Sequence, residues 1–336
     1  MTGLWGLFGW GTSYWGAGAG SGPGAIIDKN DFYKILIYSP EGDLLGQITT
    51  KSGQTLLNTL DFELNDTGCG SFNFNLTNDN ILIKVGDIIE IYLLGEATPW
   101  FTGYIQKVPE TGRTDKLYNY KGYGLVAKLD EIIVDETYLA KELSVIATEL
   151  LENEIIPKKP EIIENTAKIE VTAYTATKME FKLTQAKKAL GDLVSQAGNW
   201  IAGVDELKEF FFKARSTVIQ QAAVKAISKH LSAFLPNQDN SGIINKIYIK
   251  IGKTTAGSNY TSVKEDVTSQ NDYGIREGVE TLPTTDDDTD AQQWANQILT
   301  EKKDPTITAS ISGIDILKLR ERIRAEGKAR IILLKE

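Results

Sequence analysis

The hydrophobic pattern of the chain changes character twice, which divides it into three folded regions behind a short N-terminal stretch. Between residues 26 and 135, apolar and polar positions alternate, as where Phe72, Phe74 and Leu76 are separated by Asn73 and Asn75. Alternation with period two puts the apolar side chains on one face of a strand. Turn residues separate six strand-like runs, at 32–38, 61–65, 72–76, 88–93, 100–105 and 116–121. Short strands at this spacing predict a β-barrel or sandwich.

The middle region, residues 136–245, shows the three- to four-residue spacing of helices. A first helix is predicted from Leu139 to Leu151, ending before Pro157. A second is predicted to begin at Thr184 as its N-cap and to end at Gly198. Residues 217–235 predict a third helix. Short strands are expected at 168–173, 178–181, 200–201 and 210–212, so that the region as a whole is α+β.

The last region, residues 246–336, returns to strands. Strand-like runs lie at 245–252, 260–265, 275–280, 306–312 and 329–334. One helix interrupts them, with Asp290 as its predicted N-cap and with Ala291, Trp294, Ala295 and Ile298 on its apolar face. The expected fold is therefore mixed and β-rich, with two β domains separated by an α+β region.

Residues 1–25 fit no regular element, because their glycine content opposes helix and strand. A membrane span and a phosphate-binding loop are disfavoured too, since glycine interrupts the apolar run and no strand precedes it. A plain flexible linker has no need of so many aromatic residues. We predict an interaction arm whose aromatic side chains fill pockets on neighbouring chains, with packing on its own domain as the alternative. These side chains are Trp5, Phe8, Trp10, Tyr14 and Trp15.

Composition narrows the classes of partner. The formal net charge is −9, from 36 basic and 45 acidic residues without a basic cluster, which argues against binding to nucleic acid backbones. No run of about 18 apolar residues occurs, so no stable membrane anchor is expected. The single cysteine, Cys69, excludes an internal disulfide and a Cys-rich zinc site. It lies in the stretch 67–70, which is typical of a turn, and we expect it to be a small filler.

The sequence contains few residues of the kinds that form catalytic sites. Ser-His-Asp and Cys-His arrangements need a histidine, and His230 is the only one, inside a helical pattern. Two acidic side chains could support glycoside hydrolysis, yet no pair stands out. The acidic run from Asp286 to Asp290 lacks the glycine and the distal Glu of an EF-hand loop, so we expect a solvated loop ending in an N-cap. The sequence predicts no catalytic, metal or cofactor site, and a protein that is not an enzyme.

The order of several motifs resembles the baseplate hub, or tail hub, proteins of tailed bacteriophages. The first is a Gly-x-Gly-x-Phe strand at 68–76, followed by a Gly-Asp turn at 86–87. An aromatic-Gly strand at 100–105 and a Gly-Tyr-Gly-Leu turn at 122–125 complete the first set. The helix at 184–198 before Trp200, the strand at 244–249 and the stretch 273–277 agree with later parts of that family. The resemblance spans residues 30–336.

This resemblance implies a structural protein of the virion, located at the tail tip or baseplate and assembled in the bacterial cytoplasm. Four parts are expected: an arm at 1–25, a first tube-type β-barrel domain at 26–135, an α+β region at 136–245 and a second tube-type β-barrel domain at 246–336. Hubs of this kind form homotrimeric rings that join the sixfold tail tube to the threefold tip. The implied partners are the tail tube or distal tail protein, a tip, spike or fibre protein and the tape-measure protein, with DNA as passing cargo only.

Two other functions remain open at the level of sequence. One is a tail-associated cell-wall hydrolase, either a glycosidase or a peptidase. The other is a carbohydrate-binding tail adhesin, for which exposed aromatic residues such as Trp100 and Tyr104 would be required.

Overall fold

The computed structural model describes residues 33–49, 57–76, 83–93, 97–109, 118–215, 225–226, 231–253, 259–282, 284–313 and 331–332. These residues form two compact units. Unit 1 contains the described residues up to Leu64, together with Gly68–Leu125 and Asp205–Lys208. Unit 2 contains Asn65–Thr67, Val126–Val204 and the described residues from Glu209 onward. No helix in the described part of the chain has the length and apolarity needed to cross a membrane.

Seven strands build the sheet of unit 1. They are β1 (Tyr33–Tyr38), β2 (Leu44–Thr49), β3 (Leu57–Asn65), β4 (Gly68–Leu76), β5 (Ile88–Leu93), β6 (Phe101–Lys107) and β7 (Tyr118–Gly124). Their order across the sheet is β3-β4-β7-β6-β5-β1-β2, and every pair from β4 to β2 is antiparallel. The sequence predicted all of these strands except β2.

The buried side chains of β4 lie on one face of the strand, as the period-two pattern predicts, whereas β1, β5 and β6 are buried on both faces. Phe72, Phe74 and Leu76 of β4 are buried, and the Phe74 ring stacks on that of Tyr120 at 5.1 Å between centroids. Cys69 lies inside β4 and not in a turn, but it is buried in the filler role expected of it. A Cβ atom at Gly122 would lie 1.9 Å from the carbonyl oxygen of Tyr104, so β6 and β7 approach there only because glycine occupies the position.

Unit 2 begins with a hairpin-like pair of long strands and two helices. After a 3₁₀ helix at Leu125–Glu131, β8 (Ile133–Glu142) pairs antiparallel with β9 (Thr175–Gln185). Between them lie α1 (Leu143–Leu150), a π-helical segment at Leu151–Ile155 and a 3₁₀ turn at Thr166–Lys168. Then α2 (Ala186–Ala197) leads to an antiparallel pair, β10 (Trp200–Val204) and β11 (Phe210–Ala214).

The remaining described elements of unit 2 form three small sheets and two helices. They are β12 (Lys225–Ala226), β13 (Leu231–Asp239), β14 (Lys246–Lys253), β15 (Asn259–Glu265), α3 (Val267–Tyr273), β16 (Glu277–Leu282), α4 (Asp288–Lys302), β17 (Thr306–Gly313) and β18 (Ile331–Ile332). The sheets are β15-β14-β16, β13-β17 and β12-β18. Helix α4 covers the first of them, because Ile247, Ile249 and Ile251 pack against Ala291 and Ala295.

Several predicted element boundaries were wrong in unit 2. The first helix begins at Leu143, whereas Leu139 belongs to β8 and is exposed. Helical spacing misled here because β8 runs directly into α1. Residues 169–173 do not form a strand, apart from an isolated bridge at Ile169. The helix predicted over 217–235 is contradicted in its described part, where β13 pairs with β17 through eight register positions.

Both predicted N-caps in unit 2 were also displaced. Gln185 precedes α2, and Thr184 is still part of β9. Asp287, not Asp290, caps α4, because its carboxylate accepts hydrogen bonds from the backbone amides of Thr289 and Asp290. Gly198 ends α2 as predicted, with φ +86°, a conformation that favours glycine.

The fold is mixed and β-rich, as predicted, but the two barrels are not confirmed. None of the sheets formed by the described residues closes on itself. Among the described strands of unit 1, β2 ends the sheet on one side, and β3 pairs only with β4. The domain limits at residues 25, 135 and 245 stay predictions.

Candidate assembly sites

The first candidate site is the β2 edge of unit 1, at residues 44–49. Within the described part of the chain, β2 pairs only with β1. Its sequence, LLGQIT, contains neither a charge nor a proline, and Leu44 and Leu45 are exposed. Such an edge presents unpaired backbone groups to another strand, and charges or proline are the usual protection against this pairing. The β2 edge can therefore accept a strand from another chain.

The outer face of β3, β4 and β7 is a polar ladder. The Asn119 side-chain amide donates to the Oδ1 atom of Asn73 at 2.6 Å, and Asn75 donates to Thr59 at 2.8 Å. Ser71 Oγ lies 3.3 Å from Glu63 Oε2. A shallow groove of about 530 Å³ runs along this face beside the half-exposed Tyr123 ring. This face is polar, and the Asn, Thr, Ser and Glu side chains named above are hydrogen-bonded to one another.

Within unit 1, an ion pair between buried Glu90 and half-buried Lys208 holds the turn Asp205–Lys208 on the sheet. The ammonium of Lys208 lies 2.8 Å from Glu90 Oε1, and the hydroxyl of Tyr92 donates to Glu90 Oε2 at 2.7 Å. Burial, and then the charge of Glu90, raises the pKa of Tyr92 and likewise that of Tyr38. The turn is fixed further where Thr102 Oγ1 donates to the carbonyl oxygen of Glu206 at 2.6 Å. These contacts position the turn and leave no exposed reactive group.

Asp290 is a buried carboxylate of unit 2 that accepts four hydrogen bonds. It is fully buried and accepts hydrogen bonds from the Tyr174 hydroxyl, the Thr285 hydroxyl at 2.9 Å and the backbone amides of Thr177 and Lys178. Burial, followed by the hydrogen bond to Asp290, raises the pKa of Tyr174. A buried charge with this many donors is compensated, so that Asp290 fastens α4 to β9.

An apolar cleft of about 120 Å³ lies beside α2 and is called the α2 cleft below. The Arg215 guanidinium, paired with Asp66, stands at its rim, and Gly191 of α2 opens onto it. The walls are formed by Val126, Leu129, Leu190, Val194, Trp200 and Ala202. Sequence reasoning missed this site. The available signal was a glycine inside a helical pattern, which usually has a packing or functional reason.

The sequence-predicted positions fall into three groups. Trp5, Phe8, Trp10, Tyr14, Trp15 and His230 lie outside the described residues. Trp100 and Tyr104 are buried in unit 1, which removes the observation that suggested an adhesin. Of the acidic run ending at Asp290, Asp286 is exposed outside the helix, Asp287 is the N-cap and Asp288–Asp290 begin α4. No group of three metal-ligating side chains occurs among the described residues.

Comparison with known proteins gives matches at the level of structure alone. No protein-family model and no curated protein matches the sequence. The structure is similar to a tail protein from Neisseria meningitidis MC58, with a TM-score of 0.62 and 12% identity over 90% of this chain and 86% of that one. The fold is that of phage tail proteins.

Two further tail proteins share this tail-protein fold. The 43 kDa tail protein of prophage MuSo2 from Shewanella oneidensis has a TM-score of 0.58 and 13% identity, covering 89% of this chain and 88% of that one. The prophage tail protein gp18 from Listeria monocytogenes EGD-e has a TM-score of 0.54 and 10% identity, covering 90% and 85%. The resemblance predicted from the sequence is thus confirmed for the fold.

Proposed function

We propose that the chain is a structural hub protein at the tail tip or baseplate of a phage or phage-like particle. In this role, three copies form a ring that joins the sixfold tail tube to the threefold tip and surrounds the channel for DNA and the tape-measure protein. Its neighbours are the tail tube or distal tail protein on one side and a tip, spike or fibre protein on the other. The tail-protein fold, shared with three tail proteins over 85–88% of their length, supports this assignment.

The observation that carries the proposal is the open sheet of unit 1. Its β2 edge is uncharged, whereas β3, which pairs only with β4 among the described strands, carries Asp61 and Glu63. Two different edges on one sheet favour head-to-tail contacts between copies, and such contacts close into a ring when the rotation allows. The polar ladder suits the channel side of this ring, because its side chains bond to one another and offer passing cargo little to bind.

The ring is tested through the β2 edge. Two lysines at Leu44 and Leu45 should leave the fold intact, since both side chains are already exposed, and should block strand addition. Val171→Lys is the control, because Val171 is 80% exposed in a loop of unit 2. Native mass spectrometry should find trimers for the wild type and for Val171→Lys, and monomers for the double variant. Monomeric wild-type protein, in the presence of its tail partners, would exclude the ring.

We propose in addition that residues 1–25 form an arm that anchors each copy to its neighbours. Trp5, Phe8, Trp10, Tyr14 and Trp15 are the anchoring side chains, since buried aromatic residues supply most of the binding energy of many interfaces. Deleting residues 2–24 should weaken assembly while the thermal unfolding of both units stays unchanged. If the deletion variant assembles at the same protein concentration as the wild type, the proposed role of the arm is refuted.

A further inference from the structure

The α2 cleft has the chemistry of a socket for one aromatic ring. Its walls are mainly aliphatic and aromatic, with Lys187 and Thr67 as further lining residues, and Leu129, Leu190 and Ile201 are buried. A dry cavity of about 150 Å³ takes up benzene, so the α2 cleft, at about 120 Å³ and open at its mouth, has room for part of an indole ring, with the remainder at the mouth. At the rim, Arg215 is placed to lie against a ring face, and the carboxylate of Asp66 can accept an indole N–H.

Gly191 is a second, independent sign that something approaches α2. Glycine inside a helix costs about 1 kcal/mol relative to alanine. A Cβ atom at Gly191 would meet no atom within 4 Å, so packing inside the chain does not require glycine there. Gly203, in the wall of the same cleft, differs because a Cβ atom there would lie 1.9 Å from the carbonyl oxygen of Thr67. An external group that lies close to the backbone of α2 explains Gly191.

The chain itself contains a segment of matching chemistry. Residues 1–27 carry no charged side chain but three tryptophans, Trp5, Trp10 and Trp15. The segment precedes Tyr33, where β1 begins, and 32 extended residues span up to about 100 Å. Such a length reaches a neighbouring subunit without any constraint from the fold.

We propose that the α2 cleft of one subunit receives a tryptophan side chain from the arm, residues 1–25, of a neighbouring copy. This inference rests on the proposed arm and names its receptor. Part of the indole ring fills the apolar cleft, the glycine-rich backbone beside it passes over Gly191, and the Asp66–Arg215 pair closes the rim.

Variants of the full-length chain test the cleft and the arm separately. Gly191→Trp fills the cleft from its own helix, and Lys188→Trp, at an exposed position of α2 outside the cleft lining, is the matched control. A variant with Trp5, Trp10 and Trp15 changed to serine removes the ring donors. Sedimentation velocity should show half-association at a concentration at least tenfold higher for Gly191→Trp and for the triple serine variant, and at an unchanged concentration for Lys188→Trp. Gly191→Leu repeats the test should tryptophan perturb α2.

Mixing the two deficient proteins distinguishes exchange between copies from contact within one chain. The triple serine variant retains an open cleft and Gly191→Trp retains an intact arm, so an equimolar mixture should recover association through one productive contact per pair. No recovery would place the arm on its own subunit and overturn the proposal. Normal assembly of Gly191→Trp and Gly191→Leu beside a deficient triple variant would show that the arm binds elsewhere. Normal assembly of the triple variant would instead refute the arm itself.

Discussion

The Tyr174 hydroxyl donates a hydrogen bond to the buried carboxylate of Asp290, which lies 116 positions later in the chain. Through this contact and the amides of Thr177 and Lys178, the first turn of α4 is fixed to the beginning of β9. The helix dipole favours a negative charge at this end of α4, so the carboxylate is stabilised from both sides. This joint connects the middle and the last part of the sequence within unit 2.

Replacing Asp290 by alanine should destabilise unit 2 by about 3 kcal/mol, because it leaves buried donors without an acceptor. Urea unfolding followed by circular dichroism measures this effect. Asp286→Ala, four positions earlier and partly exposed, is the control and should cost less than about 1 kcal/mol. Equal losses for the two variants would contradict the role of Asp290.

The same joint predicts an alkaline pH dependence. The raised pKa of Tyr174 means that its folded state holds a proton which the unfolded chain releases near pH 10. The stabilisation is therefore complete below pH 10 and is lost as the pH rises above it. Tyr174→Phe should cost about 1 kcal/mol at pH 8 and less at pH 10.5. Urea midpoints at the two pH values measure the change, and a constant difference would contradict it.

Glu142, the N-cap of α1, predicts the opposite dependence at acid pH. Burial disfavours its charge, but hydrogen bonds from Ser144 and Thr172 outweigh burial and lower its pKa. The contribution is complete above pH 4.5 and is lost as the pH falls below it. Glu142→Gln should cost about 1–2 kcal/mol at pH 7 and less at pH 3.5. Glu152→Gln, on the exposed side of the following π-helical segment, should have no such effect.

The sequence pattern was sufficient where contacts are local and insufficient where they are distant. Alternation along β4 identified its buried face, because a strand between antiparallel neighbours has one face on the core. The strand β2 escaped prediction, since LLGQIT does not alternate. The acidic run ending at Asp290 was predicted to be exposed to solvent. The sequence did not reveal that Asp290 is buried, because its hydrogen-bond donors come from Tyr174 and β9, more than 110 positions away. The α2 cleft is likewise built from segments that the sequence separates.

Two glycines of unit 2 predict opposite responses to alanine. Gly191→Ala should stabilise the protein by about 0.5–1 kcal/mol, since the helix gains propensity and the new methyl group meets no atom. Gly203→Ala should destabilise it by about 2 kcal/mol or more, because its methyl group would collide with the backbone of Thr67. Thermal unfolding of both variants checks the pair. A loss of stability in Gly191→Ala would show that its surroundings are tighter than the structure has them.

The charge group around Glu90 predicts that the turn between β10 and β11 depends on one lysine. Lys208→Met keeps the length of the side chain but removes the ammonium that lies 2.8 Å from Glu90 and over the ring of Tyr38. Glu90 then keeps the hydroxyl of Tyr92 as a partner but loses its counter-charge, which should destabilise unit 1 by about 2–3 kcal/mol.

The double variant Lys208→Met with Glu90→Gln separates the pair from its surroundings. Because Glu90→Gln removes the unpaired charge, the double variant should recover at least half of the stability lost in Lys208→Met alone. Urea unfolding of the two single variants and the double variant gives the coupling directly. Additive losses would mean that the Lys208 ammonium stabilises the turn through the ring of Tyr38, and not through the charge of Glu90.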